Sequence, residues 1–259
     1  MDNQVYIGGK KIRLESIDST NSYLKSIIAK SAPICEGTVI MAYNQYKGRG
    51  QQYNNWISEA GKNITMSFFV NPMLKIDDFF LLNKIFSLSI QNYLREELSI
   101  PIYIKWPNDF IGEHKKLCGL LIENMVSHKL INKSIVGIGL NVNQEKFLGI
   151  TSNIQATSMK IIAKKNYDIE EVLDGLCNTI NKEYLNFRNK KENARYLAHL
   201  HLQYINNLYC YNHEQEFLDL INFNKFKGKI VDVSNTGALV LQTHEGKKSY
   251  DCKTIKLLI

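Results

Sequence analysis

The stretch "IPIYIKWPNDFIGEHKKLCGLL", Ile100–Leu121, places polar and charged residues between two apolar segments. Its first part predicts a short strand that Pro107 ends. Asn108 and Asp109 then present an amide and a carboxylate at the end of that strand, and Lys116 follows seven residues later. The spacing leaves two alternatives equal: a turn that only ends the strand, or a carboxylate that ligates Mg²⁺ or orients a lysine.

The segment that begins at Lys116 predicts a buried strand with two unusual residues. A lysine at the mouth of an apolar strand is either a surface residue that snorkels or an ammonium directed at a ligand. Gly119 inside the same strand indicates that another group approaches the backbone there. Its predicted partner strand carries "GIGLNVN", Gly137–Asn143, which no helix follows, so a dinucleotide fingerprint is disfavoured. Asn141 interrupts that strand, and its amide needs a ligand, a metal-bound water or a loop backbone as partner.

A second polar stretch, "KGRGQQYNNW" at Lys47–Trp56, lies between two predicted strands. The sequence predicts that Gly48 and Gly50 let the backbone approach a ligand, adopt positive φ and expose N–H groups as an anion nest. Arg49 adds a planar fork that suits carboxylate or phosphate. Taken alone, a hairpin loop with a surface arginine is the better interpretation, because three residues are weak evidence.

The remaining pattern predicts an α+β protein with a small β-domain at its end. Polar residues at Asp18–Asn21 predict a helix N-cap, and Asp77 predicts another. Short strands with turn residues between them fill about the last 50 residues and predict a small β-barrel, with a first domain at 1–206 and a second at 207–259. The predicted strands are Lys11–Ile17, Gly37–Tyr43, Asn63–Val70 and the pair "KLCGLLIENMVS" and "KSIVGIGLNVN"; the predicted helices are "SYLKSIIAK", 77–98, 169–187 and 193–205.

Composition narrows the class of protein. The 259 residues are 44% hydrophobic and 22% charged, which is typical of a globular chain. The net charge of +7 would attract phosphate-bearing ligands, nucleic acid or acidic proteins, and a basic composition rich in Lys and Asn without functional meaning is at least an equal interpretation. The chain has no run of five or more Lys or Arg residues, which argues against a nucleic-acid tail. Five scattered cysteines without a CxxC pair predict reduced thiols, and no signal peptide or membrane span is predicted, so we expect a cytoplasmic protein.

Catalytic side chains of the nucleophilic kind are not predicted. The six histidines accompany no serine or cysteine motif. If the chain is an enzyme, we therefore expect catalysis by positioning and electrostatics.

The motifs in their order resemble those of the biotin–protein ligases. The order is "DSTN", "GRGQ" with a following tryptophan, "KWPND" with "KLCG" seven residues on, "GIGLNVN", and a small β-domain with "GALVL". The resemblance covers essentially the whole chain. It implies a class II synthetase-like mixed β-sheet with helices, followed by an SH3-like C-terminal β-barrel.

The resemblance also implies a reaction. Biotin and ATP give biotinyl-5′-AMP and pyrophosphate, and a lysine of a biotin carboxyl carrier protein then takes the biotinyl group. Mg²⁺ would accompany the ATP phosphates. The carrier of acetyl-CoA carboxylase is the expected partner, and the resemblance allows a monomer or a homodimer.

The roles that the resemblance implies fall on individual residues of this chain. Lys116 would contact the biotin carboxylate and the phosphate, and Arg49 would meet the same two groups. Asp109 would orient the acceptor lysine or hold Mg²⁺, and Asn141 would assist at the nucleotide or the metal. The remaining residues implied at the biotin and adenylate are Ser19, Thr20, Asn21, Gln45, Gly48, Gly50, Gln51, Trp56 and Gly119.

The chain also departs from the family pattern. In the best-known members the loop reads GRGRRG, whereas Gln51 and Tyr53 stand here in place of an arginine and a glycine. We expect weaker retention of the adenylate, because Gln51 cannot neutralise it. The dozen or so residues before the first predicted strand are too few for a helix-turn-helix module, so we expect a ligase that does not bind DNA.

Two other functions remain alternatives to biotin ligation. A lipoate–protein ligase shares the fold and the reaction type, although "KWPND" with "GRG" favours biotin. A biotin sensor or nucleic-acid-binding module without catalysis is the second, and Lys116 and Arg49 argue against it.

Overall fold

A computed structural model describes residues 6–30, 34–51, 54–147 and 154–258 of the chain. The strands are β1 (Lys11–Ile17), β2 (Val39–Gln45), β3 (Gly48–Arg49), β4 (Asn55–Trp56), β5 (Asn63–Val70), β6 (Leu74–Lys75), β7 (Ile102–Lys105), β8 (Asp109–Gly112), β9 (Lys115–Ser127), β10 (Leu130–Asn141), β11 (Glu214–Asp219), β12 (Lys225–Val233), β13 (Leu239–Thr243), β14 (Gly246–Tyr250) and β15 (Ile255–Leu258). The helices are α1 (Thr20–Ala29), α2 (Phe80–Leu98), α3 (Met159–Ala163), α4 (Ile169–Lys190) and α5 (Ala194–Asn206).

Within the described residues, the large sheet is mixed and has the order β1-β2-β5-β10-β9-β8-β7, with β6 paired to β10. Strands β1 and β2 are parallel, and the other pairs are antiparallel. His128 and Lys129, both at positive φ, form the turn between β9 and β10. The predicted α+β class and the mixed sheet are therefore confirmed.

The two faces of the large sheet carry different layers. Neighbouring residues of one strand point to opposite faces, and Phe68 and Phe69 separate in this way. Phe68 packs edge-on against Phe86 of α2 with ring centroids 5.5 Å apart, a geometry that contributes about 1 kcal/mol beyond burial. Phe69 joins a second apolar cluster with Leu24 of α1. The α1 face is the one on which polar side chains gather.

Helix α1 begins as predicted, but α2 does not. Ser19 is the N-cap of α1 and accepts the N–H of Ser22. Asp77 instead lies in a 3₁₀ turn at Ile76–Asp78, and the N-cap of α2 is Phe79 without a side-chain hydrogen bond. The prediction that Asp77 caps α2 is wrong, because the 3₁₀ turn moves the N-cap two residues further along the chain, to Phe79.

The C-terminal strands form a five-stranded antiparallel sheet in the order β14-β13-β12-β11-β15, which is the predicted small β-domain. It packs on the rest of the chain: the Trp106 indole N–H donates to the Gly237 carbonyl at 3.0 Å, and His201 Nε2 lies 2.8 Å from Asp232 Oδ1. Buried residues of both parts belong to one hydrophobic cluster. The division of the chain at residues 206 and 207 stays a prediction.

The structure bears on two predictions made from composition, that the thiols are reduced and that no segment spans a membrane. Cys35, Cys118, Cys177 and Cys210 lie in described segments and are free thiols. In the described ranges, no helix is both long and apolar enough to cross a bilayer.

Candidate active site

A cavity of about 680 Å³ lies on the α1 face of the large sheet and is bordered on its far side by the C-terminal sheet. Its volume is in the range of sites for small ligands and cofactors. Gly48 borders a neighbouring cavity of about 560 Å³ on the other side of the β3–β4 pair. The other predicted site residues line the first cavity: Ser19, Thr20, Asn21, Gln45, Arg49, Gly50, Gln51, Trp56, Asp109, Lys116, Gly119 and Asn141.

Neutral polar groups at the start of α1 form one end of the cavity. The Thr20 N–H and hydroxyl donate to Gln45 Oε1 at 2.9 and 3.1 Å. The Ser67 hydroxyl oxygen lies 2.7 Å from Thr20 Oγ1 and 2.5 Å from Asn21 Oδ1. Ser19, Thr20 and Asn21 are each 3–4% exposed. These contacts fix the side chains before any ligand arrives, which lowers the entropic cost of binding.

Glycine in β10 makes room for this network. Gly137 pairs with Ser67 across the sheet, and a Cβ placed on Gly137 would overlap Asn21 Oδ1. The structure thereby explains the first glycine of "GIGLNVN" by close packing of a polar side chain on the backbone, not by nucleotide binding.

Charged groups of β8 and β9 form the middle of the cavity, and a β-bulge places them there. Phe110 pairs with Cys118 but Ile111 pairs with Lys116, so Leu117 is the extra residue of β9. In a regular strand, Lys116 and Gly119 would point to opposite faces, and the bulge brings both to the cavity. Lys116 Nζ then lies 2.6 Å from Asp109 Oδ1.

Trp56 covers a floor made of two glycines. Gly119 and Gly139 are cross-strand partners; a Cβ on Gly139 would overlap the indole, and one on Gly119 would lie 3.2 Å from Trp56 Cζ3. Lys116 Nζ is 5.6 Å from the centre of the indole ring, within reach of a cation–π interaction. The buried indole Nε1 finds no acceptor among the described residues, and a ligand oxygen would satisfy it.

The loop glycines act differently from the prediction. Neither Gly48 nor Gly50 has positive φ, and the Gly50 N–H donates to the Asn54 carbonyl at 2.7 Å. A Cβ on Gly48 would overlap the Trp56 carbonyl oxygen. Gly48 is therefore required because β3 and β4 pair closely, and the positive φ and the nest that includes Gly50 are not found. Tyr53 lies outside the described residues.

Arg49 makes its contacts through a carboxylate that sequence reasoning missed. Arg49 Nη2 lies 3.0 Å from Glu123 Oε1, and the Asn21 amide donates to Glu123 Oε2 at 3.0 Å. Burial raises the pKa of Glu123, but the Asn21 hydrogen bond and the Arg49 charge outweigh it, so the pKa lies below its ordinary value. Glu123 thus joins the β3–β4 pair to the neutral end of the cavity.

Asn141 finds its partner in a loop backbone, one of the alternatives open from the sequence. Its amide donates to the Thr157 carbonyl at 2.9 Å. The same segment pairs with Lys116, whose N–H donates to Gln155 O at 2.7 Å and whose carbonyl accepts the Thr157 N–H at 2.8 Å. Asn141 therefore holds the backbone that supports Lys116.

Four further polar residues at the site were not assigned from the sequence. Ser67 and Glu123 interrupt apolar strands, and a polar residue in such a strand was the available signal. Lys105 belongs to "KWPND" but received no role. Lys256 lies in the C-terminal sheet, where no local pattern connects it to the cavity.

Comparisons with known proteins agree with this geometry. Residues 14–141 match the Biotin/lipoate A/B protein ligase family. The "Bifunctional ligase/repressor BirA" of Bacillus subtilis is 26% identical over 255 residues, which are 97% of this chain and 75% of that protein. The "Biotin--[acetyl-CoA-carboxylase] ligase" of Mycobacterium tuberculosis is 30% identical over 130 residues, 49% of this chain and 47% of that protein.

A solved structure extends the likeness to nearly the whole chain. The biotin protein ligase from Aquifex aeolicus in complex with biotin and ATP superposes with a TM-score of 0.76 at 29% identity, covering 96% of this chain and 98% of that one. Residues 14–141 therefore form a domain of the Biotin/lipoate A/B protein ligase family.

Proposed function

We propose that this protein activates biotin with ATP and transfers the biotinyl group to a lysine of a biotin carboxyl carrier protein. The observation that carries the proposal is the convergence of a buried neutral polar end and the Lys116–Asp109 pair in one cavity. The Mycobacterium tuberculosis relative and the Aquifex aeolicus structure, both named as biotin ligases, support the same activity.

The neutral end suits the ureido ring of biotin. That ring has one carbonyl acceptor and two N–H donors, so it needs fixed neutral partners and gains little from charge. The Ser19 hydroxyl accepts the Ser22 N–H and keeps its own proton for donation. Ser19, Thr20, Asn21 and Gln45 would bind the ring there.

The charged middle suits the first reaction. A biotin carboxylate oxygen attacks the α-phosphorus of ATP, the new P–O bond forms, and the bond to the β-phosphate breaks to release pyrophosphate. Both reactants are anions, so cations must offset their repulsion and hold them in line. Lys116 and Arg49 would do so. Gly50, Gln51, Trp56 and Gly119 line the same cavity and would surround the adenylate, with Gly48 behind them in β3.

The second reaction needs a positioned amine. The acceptor lysine attacks the acyl carbon, the C–N bond forms, AMP leaves with the electron pair of the acyl C–O bond, and the nitrogen loses a proton. Asp109 would orient that amine, because its carboxylate already accepts an ammonium, that of Lys116, at 2.6 Å.

The residues present also fit Mg²⁺ brought by ATP. The described residues hold no cluster of three His, Cys, Asp or Glu side chains that would bind a metal alone. Mg²⁺ commonly takes one or two protein oxygens together with substrate phosphates. Asp109 and the side-chain oxygen of Asn141 would supply them, and the ion would offset phosphate charge.

The test is biotin-dependent exchange of pyrophosphate into ATP with Mg²⁺ present. We expect exchange with biotin, none with lipoate, and thermal stabilisation by biotin alone. Exchange driven by lipoate would favour the lipoate ligase, and stabilisation by biotin without exchange would favour a biotin sensor. Labelling of the acetyl-CoA carboxylase carrier by the cytoplasmic fraction of the source cells, and the mass of the protein in solution, would test the partner, the location and the choice between monomer and homodimer.

A further inference from the structure

A buried lysine lies where two helices of the large sheet meet the C-terminal sheet. Lys84 of α2 is 2% exposed, and its Nζ lies 2.9 Å from Nδ1 of His201 in α5. His201 Nε2 in turn lies 2.8 Å from Asp232 Oδ1 on β12. None of the three is among the described residues that line the cavity, and the proposed reactions do not use them. The three side chains thus form one chain of contacts that ends on the C-terminal sheet.

The geometry determines which atoms of this chain carry protons. An ammonium group donates hydrogen bonds and cannot accept them, so His201 Nδ1 has to be the acceptor for Lys84. The imidazole is therefore neutral, and its Nε2–H donates to Asp232. The additional proton stays on Lys84, because an alkyl amine is ordinarily a much stronger base than an imidazole.

The other titratable groups nearby favour the same state. Burial lowers the pKa of Lys84, and the charges of Asp232 and of Asp78, in the 3₁₀ turn before α2, oppose this effect. Tyr204 of α5 stays neutral, because burial raises the pKa of its hydroxyl. The imidazole therefore lies among one ammonium, two carboxylates and a neutral phenol.

A second proton on His201 would break this chain at its buried end. Nδ1 would no longer accept from Lys84, and two cations would lie 2.9 Å apart where water screens charge poorly. The Asp232 side chain is 51% exposed, so its attraction for the imidazolium is weaker. Histidine ordinarily changes charge between about pH 5 and about pH 8. The contact is therefore complete at the upper end of that range and is lost as the pH falls.

The same region of contact extends to the cavity. Gly237, in the turn between β12 and β13, has a φ of +79°, and a Cβ on it would overlap the ring of Phe80, one helical turn before Lys84. The Gly237 carbonyl accepts the Trp106 indole N–H at 3.0 Å, and Trp106 lines the cavity. Separation of β12 from the two helices would therefore move the border of the cavity that the C-terminal sheet forms.

We propose that His201 is a pH-sensitive latch, which in its neutral form holds the C-terminal sheet against the cavity and in its protonated form releases it. His201 is a positioning residue, because it acts through Lys84 and Asp232. The latch itself does not depend on the proposed function. Its consequence, slower escape of an adenylate from the closed cavity, does rest on that function.

The fluorescence of Trp106 tests the latch without any ligand. The chain has two tryptophans, so Trp56→Phe leaves Trp106 as the only one. We expect its emission maximum to shift reversibly to longer wavelength as the pH falls from about 8 to about 5, because the indole loses its acceptor on the C-terminal sheet and meets water.

His201→Gln in the same background separates the latch from other effects of pH. An amide can accept from Lys84 and donate to Asp232 without titrating, and the His201 side chain is 28% exposed, so the glutamine fits. We expect this variant to keep the emission of high pH throughout the range. His199→Gln, at an exposed position of the same helix, is the control and should shift as its parent does. An equal shift in His201→Gln, or no shift in the parent, would overturn the proposal.

Release of biotinyl-5′-AMP from the chain with both tryptophans gives a second readout. At about pH 5.5, we expect the wild type to release the adenylate about fivefold faster than His201→Gln, as for a lost hydrogen bond of a charged group. The two proteins should release it equally at about pH 8. Equal release at both pH values would overturn the effect on the cavity. An emission shift in a protein without biotin-dependent exchange would support the latch while the proposed function failed.

Discussion

The two ends of the cavity on the large sheet differ in the kind of polar side chain that lines them. At the neutral end, Ser19 and Asn21 are 3% and 4% exposed, and their side chains hydrogen-bond within the protein. In the charged part, the Lys116 and Asp109 side chains are 27% and 20% exposed, and the Arg49 side chain is 45% exposed. In this cavity, the neutral polar side chains are thus buried, and the charged side chains remain partly exposed to water.

The free-energy cost of burying each kind of group accounts for this difference in exposure. A buried neutral group is stable once it is hydrogen-bonded, whereas a buried charge costs several kcal/mol unless it is paired well. A preformed neutral end can therefore recognise a ligand with little reorganisation. The charged part has to exchange one anionic partner for another during a reaction, which partial hydration permits. The variants below separate the two behaviours, from the largest expected effect to the smallest.

Lys116→Ala should have the largest effect, because it removes the cation at the centre of the proposed reaction. We expect the rate of adenylate formation to fall roughly a hundredfold to a thousandfold, as for loss of a preorganised electrostatic group. Biotin affinity should change much less, since the neutral end is untouched. Single-turnover formation of biotinyl-5′-AMP measures the first quantity and calorimetry the second.

Lys115→Ala is the matched control. Lys115 precedes Lys116 in β9 but does not line the cavity, so its removal should leave both quantities near wild type. Normal turnover in Lys116→Ala would refute the role given to Lys116.

Gly137→Ala should affect the neutral end by a smaller amount. The added methyl group would overlap Asn21 Oδ1, and the hydrogen bond from Ser67 would be lost. We expect biotin to bind roughly tenfold to a hundredfold more weakly, with little change in the rate of adenylate formation at saturating biotin. Calorimetric titration with biotin is the measurement.

Gly119→Ala sharpens this prediction. Its methyl group would lie 3.2 Å from Trp56 Cζ3, which the ring can accommodate by a shift of a few tenths of an ångström. A loss of biotin affinity equal to that of Gly137→Ala would show that the glycines set sheet stability and not the position of Asn21.

The neutral end and the large sheet could be predicted from the sequence to a considerable extent. Alternation of apolar residues is a local property, and it located β1, β5 and the β9–β10 pair. The polar run before α1 predicted the N-cap that Ser19 supplies. Recognition of "KWPND" and "KLCG" together then added Lys116 and Asp109 to the same site.

The remaining features depend on register and on distant contacts. The bulge at Leu117 turns Lys116 into the cavity, and alternation alone places it on the other face. Asn141 meets Thr157 through a segment without a periodic pattern, and Lys256 reaches the cavity only because the C-terminal sheet packs there. Asp77 shows that even a local pattern can mislead, because this favourable capping residue lies in a 3₁₀ turn before α2 and does not cap the helix.

Glu123→Gln tests the link between the two ends. The change removes the charge that pairs with Arg49 while an amide oxygen can still accept from Asn21. We expect adenylate to be released about fivefold faster, the size of a partly exposed ion pair, because Arg49 is no longer held beside the cavity. Stopped-flow release of biotinyl-5′-AMP measures this effect, and unchanged release would contradict the linking role.

The same variant has a predicted pH dependence. The folded-state pKa of Glu123 is lowered from the ordinary value of 4.5, so the carboxylate adds stability above that pH and loses it as the pH falls through the folded pKa. The wild type should therefore unfold at a higher temperature than Glu123→Gln at neutral pH. That difference should shrink in acid below pH 4.5, and a difference independent of pH would exclude the ion pair as its source.

Gln51→Arg should have the smallest effect. It tests whether a second positive charge in the loop slows the release of the adenylate. Gln51 lines the cavity beside Gly50, and its carbonyl accepts the Asn54 N–H at 3.0 Å, so the backbone geometry does not depend on the side chain. An arginine there adds a second cation near the proposed adenylate but remains hydrated, so we expect release to slow by only about twofold. Gln51→Met, similar in length and uncharged, is the control and should release adenylate no more slowly than wild type. If Gln51→Arg slowed release as much as Glu123→Gln hastened it, new charge in the loop would count as much as the existing Arg49–Glu123 pair, and the partly hydrated character given to the charged part would be wrong.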